Sequence, residues 1–130
     1  MSYIPKYIMK RMFPEESFKA VQGGLEVTLV NVISPLSVDE VPDDVENYLE
    51  ATVNGVKISD ADKMKIKIIT SQKTFSLSNA KEFAGVVIPV GDKLKVFLPG
   101  KFEKGAELEV GILIKTEHPF ELSGIKRKVC

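Results

Sequence analysis

Histidine, cysteine and tryptophan are almost missing from this chain, which holds one His, one Cys and no Trp in 130 residues. The single cysteine, Cys130, is the last residue, so no internal disulfide can form and a reducing compartment is expected. It also lies too close to the end for prenylation, which needs a cysteine four residues from the terminus. One histidine and one terminal thiol leave nothing from which to build a zinc centre. Without tryptophan there is no indole to stack on a sugar ring. Net charge is lacking as well: eighteen basic residues balance eighteen acidic ones. No long-range field would therefore draw in a nucleic acid or an anionic membrane. No apolar run approaches the length of a membrane span, and no apolar stretch follows the basic residues Lys6, Lys10 and Arg11 as it would in a secretory signal. The expectation is a cytoplasmic protein that binds neither membrane nor nucleic acid.

What the chain does have is alternation. Lys63-Met64-Lys65-Ile66-Lys67-Ile68 sends lysines one way and apolar side chains the other. Lys93-Leu94-Lys95-Val96-Phe97-Leu98 nearly repeats the pattern, and Leu108, Val110, Ile112 and Ile114 carry it through the longest run. Period two belongs to strands, and a wet face opposite a dry one belongs to antiparallel sheets.

The remaining segments read as short elements between turn residues. Residues 3–12 are mixed and fit an edge strand, and 14–20 fit a single helical turn opened by Pro14 with Glu15 and Glu16 near its positive end. Residues 25–33 form a β-branched, largely buried strand after Gly23-Gly24. Residues 34–46 carry Pro35, Pro42 and five acidic side chains, which predicts a loop or irregular edge. A strand over 48–53 runs into Asn54-Gly55, a strong hairpin signal, with the return over 56–58. Further strands are expected at 63–68, 74–77, 86–90, 93–98, 107–115 and 125–129, with a helical turn at 78–83 capped by Ser78. In Phe102-x-x-Gly105-x-Glu107-x-Glu109-Val110 the glycine permits a bend and the phenylalanine plugs the end of a core.

Seven to nine short strands, no internal repeat and no linker predict one all-β domain over residues 1–130. The architecture expected is a single antiparallel β-sandwich, immunoglobulin-like, with a small β-barrel as the alternative. At this length such a domain buries roughly 65% of its unfolded surface without metals or disulfides.

Chemistry is thin. His118 precedes a proline in an apparent loop with no base or nucleophile placed beside it, and reads as a solvated or interface residue. Asp39, Glu40, Asp43, Asp44 and Glu46 lack the spacing and central glycine of a calcium loop, and Asp60 and Asp62 read as turn formers. Gly23-Gly24 precedes a strand, not a helix, so it cradles no phosphate. The lysine rows read as solubilising, and Lys126-Arg127-Lys128 and Cys130 as a solvated, frayed tail. No metal, no cofactor and no catalytic residue is assigned. The apolar loop pieces Ser34, Pro35, Leu36, His118 and Phe120 are the candidate partner-binding residues, since loop tips at the ends of sandwiches are where partners bind.

A succession of motifs resembles one family, the small beta subunit of C-glycoside deglycosidases and its relatives. Pro14-Glu15-Glu16-Ser17-Phe18-Lys19-Ala20-Val21 is similar to that family's opening acidic-Ser/Ala-Phe stretch. Ser34-Pro35-Leu36-Ser37-Val38 is similar to its Gly-x-Pro-Leu-Ser element, here without the glycine. Val53-Asn54-Gly55 matches its valine–acidic–glycine hairpin, and Lys73-Thr74-Phe75-Ser76-Leu77 its short aromatic strand before a helical turn. Phe102 through Val110 resembles its turn into a long strand, and the whole succession covers residues 14–129. The resemblance implies a β-sandwich subunit that packs on a larger, barrel-shaped, metal-dependent enzyme subunit related to sugar isomerases. The catalytic histidine and metal ligands would then belong to that larger chain. Where the family often carries a tyrosine-proline segment after the long strand, this chain has His118-Pro119-Phe120, so a sugar-contacting role does not transfer to that loop. The expected function is thus a non-catalytic accessory or interaction subunit of such an enzyme. Two alternatives stand beside it. One is a stand-alone ligand-binding or hydrolytic sandwich pairing His118 with a carboxylate from 39–46. The other is a self-assembling homodimer without catalytic function.

Overall fold

The computed structural model describes residues 6–32, 36–37, 47–71, 73–114 and 120–130. They form two antiparallel sheets packed face to face, a short β-ribbon, and three short helical pieces.

The first sheet is built on β2 (Gly24–Val30) and β9 (Lys93–Pro99), which pair along their whole lengths. Each alternates as its sequence demands: Leu25, Val27, Leu29, Val96 and Leu98 point into the core, while Glu26, Thr28, Lys93 and Lys95 point out. β1 (Phe18–Val21) joins β2 through a tight turn in which Gly23 takes a φ of +82°. β6 (Lys67–Ile69) pairs with the other side of β9, and β7 (Thr74–Ser76) completes the order β1-β2-β9-β6-β7.

The second sheet runs β11-β10-β4-β5, with β4 Leu49–Val53, β5 Val56–Lys57, β10 Glu107–Ile114 and β11 Phe120–Lys128. The Asn54-Gly55 turn between β4 and β5 has both φ angles positive, +53° and +81°, as a two-residue hairpin matched to strand twist requires. Asn54 also fastens the hairpin to β10: its Oδ1 accepts the Glu109 N–H at 2.8 Å, and its own N–H donates to the Glu109 carbonyl at 2.8 Å.

The strand orders are those of the immunoglobulin arrangement, A-B-E-D against G-F-C-C′. β7 extends the D edge, and β3 (Leu36–Ser37) with β8 (Val87–Ile88) forms a separate two-stranded ribbon. The sandwich expectation holds, and the described strands close no barrel. They number eleven where seven to nine were expected, because several are only two or three residues long. Phe102 packs against the core from the β9–β10 connection, and Gly105 bends there with φ +86°, as anticipated.

Four expectations need correction. Residues 6–12 are not an edge strand but helix α1 (Lys6–Met12). Met9, Met12 and Phe13 are 5%, 5% and 4% exposed, a helical spacing that a strand would split between two faces. Arg127 donates to the carbonyls of Phe13 (3.0 Å) and Lys10 (3.4 Å), satisfying acceptors that the helix end leaves open. Residues 14–20 are not a helical turn: Ser17 N–H closes a bend on the Pro14 carbonyl, and Phe18, fully buried, begins β1. The alternation at 63–68 is only half a strand. Ser59 Oγ accepts the Asp62 N–H and starts α2 (Asp60–Lys63), and Lys63 and Lys65 pair with Asp60 and Asp62 at 3.6 and 3.5 Å. Local capping wins there, so the strand begins at Lys67. Finally, the C-terminus is not frayed. Val129 is buried, and Cys130 donates its N–H to the Phe18 carbonyl while its own carbonyl accepts the Ala20 N–H. The tail thereby crosses from the second sheet onto the edge of the first.

A smaller adjustment concerns the cap at 78–83. The 3-10 segment Leu77–Phe83 follows Ser76, whose N–H is taken by Asn79 Oδ1 at 2.6 Å.

Candidate functional site

β9 and β10 are joined by only residues 100–106, so the end of β9 and the start of β10 share one end of the sandwich. The last residues of β2, β6 and β10 and the first residues of β4, β7 and β11 therefore lie at the opposite end.

Asn31 organises this end from the first sheet. It follows the last residue of β2 and is buried. Its N–H donates to the Asp92 carbonyl at 3.0 Å, and its carbonyl accepts the Gly91 N–H at 2.7 Å. Its carboxamide donates to the carbonyls of Ile88 (3.0 Å) and Pro89 (3.4 Å). Only a side chain with two N–H donors on a short stem could bridge two neighbouring carbonyls in this way while buried. Gly91, at φ +93°, permits the return of chain that brings Asp92 back to Asn31.

That clamp fixes β8, and β8 carries β3 beside it, with Leu36 opposite Ile88 and Ser37 opposite Val87. Ile88 is buried, but its neighbours are not: Val87 is 47% exposed and Val90 is 53% exposed. From the second sheet, the backbone register runs Leu49 to Ile114 to Phe120 at the same end. The β10–β11 pairing slips between Val110 and Ile112, placing a bulge in the strand that leads back from this end.

Of the candidate residues, Leu36 and Phe120 are thus brought by their backbones to one end of the fold. Ser34, Pro35 and His118 lie outside the described residues, as does the acidic stretch 39–46. Among the described residues no group of three or more His, Cys, Asp or Glu side chains gathers at one point. No helix of the described residues is long and apolar enough to cross a membrane.

Charge at this end is settled locally. The Thr70–Lys73 turn closes with the Thr70 N–H donating to the Lys73 carbonyl at 3.0 Å. Lys73 Nζ meets Glu82 Oε1 at 2.6 Å. The hydrogen bond from Lys73, then one from Asn79, holds the Glu82 carboxyl below its ordinary value of 4.5. A carboxylate held ionised by a fixed ammonium is a structural pair and is poorly suited to exchanging protons near neutrality.

Sequence reasoning missed Asn31, Val87 and Val90. A signal existed for the valines. Pro89 sits inside the apolar run Val86–Val90, and proline cannot supply a ladder N–H, so the run could not be one buried strand. Asn31 left no such trace, because the bonds that hold Ile88, Pro89, Gly91 and Asp92 to it reach residues 57 or more positions away.

No protein-family model matches this chain, and no curated protein is significantly similar to it.

Proposed function

We propose that this chain is a cytoplasmic, non-catalytic accessory subunit that docks by its loop end on a larger, barrel-shaped, metal-dependent carbohydrate-active enzyme of the C-glycoside deglycosidase kind. The observation that supports docking is the exposed apolar pair Val87 and Val90, at the end that also receives the backbones of Leu36 and Phe120. Two half-exposed valines beside a proline cost free energy in water and release it when covered. The Asn31 clamp holds them in place before any partner arrives, which lowers the ordering cost of association. The kind of enzyme is read from the resemblance of the motifs across residues 14–129.

The test is recovery of the tagged full-length chain from its native lysate, with native mass spectrometry of what comes with it. A stoichiometric metal-dependent barrel subunit is the expected companion, released by the double substitution Val87→Asp and Val90→Asp and weakened by Leu36→Ala with Phe120→Ala. Recovery of the chain alone, or of a complex indifferent to all four changes, overturns the proposal. Because Val87 and Val90 are exposed, their replacement leaves the fold in place, which a thermal melt verifies.

A further inference from the structure

The outward surfaces of the two sheets treat charge differently. On the second sheet carboxylates and lysines are matched by register: Glu107 stands opposite Lys128, Glu109 opposite Lys126, and Lys57 meets Glu50 at 3.0 Å. Opposite charges facing one another across strands neutralise that surface from within.

The first sheet is matched only in part. Its outward positions include Lys19 on β1, Lys67 on β6, and Lys93 and Lys95 on β9, with Glu26 as their single carboxylate. Glu26 is already engaged by Lys95 at 3.4 Å. Lys19 stands opposite the same Glu26, so two lysines share one carboxylate, whereas Lys67 faces Phe97 and Ser76 and Lys93 faces Val30. The register places Lys19, Glu26, Phe97 and Lys67 in one row across four strands. Phe97 is half-buried, with ring atoms 2.8 Å from where a side chain on Gly24 would begin, so it lies flat over the glycine. The Lys67 ammonium is 5.9 Å from the centre of that ring. Ile69, also half-buried and outward, sits in the next row beside Lys95.

An aromatic and an isoleucine framed by lysines that outnumber their one carboxylate is an apolar centre with a cationic rim, the anatomy of a protein-binding surface. We propose that the outer face of the β1-β2-β9-β6-β7 sheet binds an acidic protein segment, whose carboxylates meet Lys67, Lys93 and Lys95, the last of which shares Glu26 with Lys19, and whose apolar side chain covers Phe97 and Ile69. The Lys95–Glu26 pair is this face's own example of the contact. Nucleic acid fits less well. The face has no arginine to fork onto phosphate, Glu26 stands in the middle of the row, and the chain carries no net positive charge. Solubility alone would be served as well by the matched pairs of the other sheet. This surface is separate from the loop end, and the inference does not rest on the accessory-subunit reading.

The experiment selects binders to the full chain from a randomised phage-displayed library of peptides about twelve residues long. The expected peptides are rich in Asp and Glu around an apolar residue. Titrated into the isotopically labelled protein, they shift the backbone amides of Lys67, Lys95 and Phe97. The triple variant Lys67→Gln, Lys93→Gln, Lys95→Gln should weaken them about tenfold or more, a loss that raised salt reproduces in the native chain. All three lysines lie outside the core, so a thermal melt should show the variant folded. Selected peptides without acidic enrichment, shifts confined to Val87 and Val90, or equal binding by the triple variant would overturn the proposal. So would tighter binding of a short DNA duplex to the same amides.

Discussion

The two outward sheet surfaces are made from the same alternating pattern of lysines and glutamates, yet one is neutralised within itself and the other is not. On the β11-β10-β4-β5 sheet Glu107 and Glu109 face Lys128 and Lys126, and Glu50 pairs with Lys57. On the β1-β2-β9-β6-β7 sheet, Lys67, Lys93 and Lys95 face serine, threonine, isoleucine, valine or phenylalanine, and only Lys19 faces a carboxylate, Glu26, which Lys95 also engages. A matched surface gains from its charges in the isolated protein, whereas an unmatched one holds mutually repelling charges that gain only when something acidic arrives. The difference lies in strand pairing: β10 carries glutamates and is set beside the lysines of β11, whereas β9 carries lysines and is set beside another lysine strand, β6.

The most damaging way to break this comparison is to remove the platform under the lysine row. At Gly24→Ala the new methyl would overlap the Leu98 carbonyl oxygen and press on the Phe97 ring, at the end of β2 that pairs with the end of β9. A loss of about 3 kcal/mol or more is expected, together with loss of the Phe97–Lys67 arrangement. Urea unfolding measures the first and the amide spectrum of residues 93–98 the second. Unchanged stability would show that the two strands are less tightly apposed than described.

A milder change tests the matching itself. Glu109→Lys puts a lysine opposite Lys126 and should cost about 1 kcal/mol at low salt, shrinking as salt is added. On the other sheet, Lys93→Gln removes an ammonium with no opposing carboxylate. It should change stability by less than about 0.5 kcal/mol, in the favourable direction if lysine repulsion matters. Equal costs for the two substitutions would erase the distinction between the surfaces.

The smallest effect concerns pH. Glu82 has its carboxyl held below 4.5 by Lys73, so its contribution is present above that value and is lost as pH falls through the lower, folded value. Glu82→Gln should flatten the acid side of the melting-temperature profile below the ordinary carboxyl value of 4.5 without moving the neutral region. A profile that keeps its acid slope would assign the slope to other carboxylates.

Legibility followed the range of the interactions. The Asn54-Gly55 hairpin, the alternation of β9 and β10 and the Phe102–Gly105 bend are decided by a few neighbouring residues, and each was readable. The candidate end was readable in part. Leu36 and Phe120 were picked out as apolar residues near prolines, but the clamp that builds the end, Asn31 to Ile88 and Pro89, joins residues 57 and 58 positions apart. The Lys63–Lys67 pattern misled for the opposite reason. A Ser59 cap and two nearby aspartates stabilise one helical turn more locally than a strand partner can.

The sequence by itself determined an all-β chain of alternating strands with one dry and one wet side, because side-chain direction along a strand is set residue by residue. Only the tertiary structure decided that residues 6–12 coil instead of extending, since the slot for Met9, Met12 and Phe13 and the capping Arg127 come from the far end of the chain. It alone decided that Cys130 closes onto β1, and which lysines find a glutamate opposite. Period two is a property of neighbours, whereas register and strand order are properties of residues brought together from afar, and a single strand carries no record of its partner's charge.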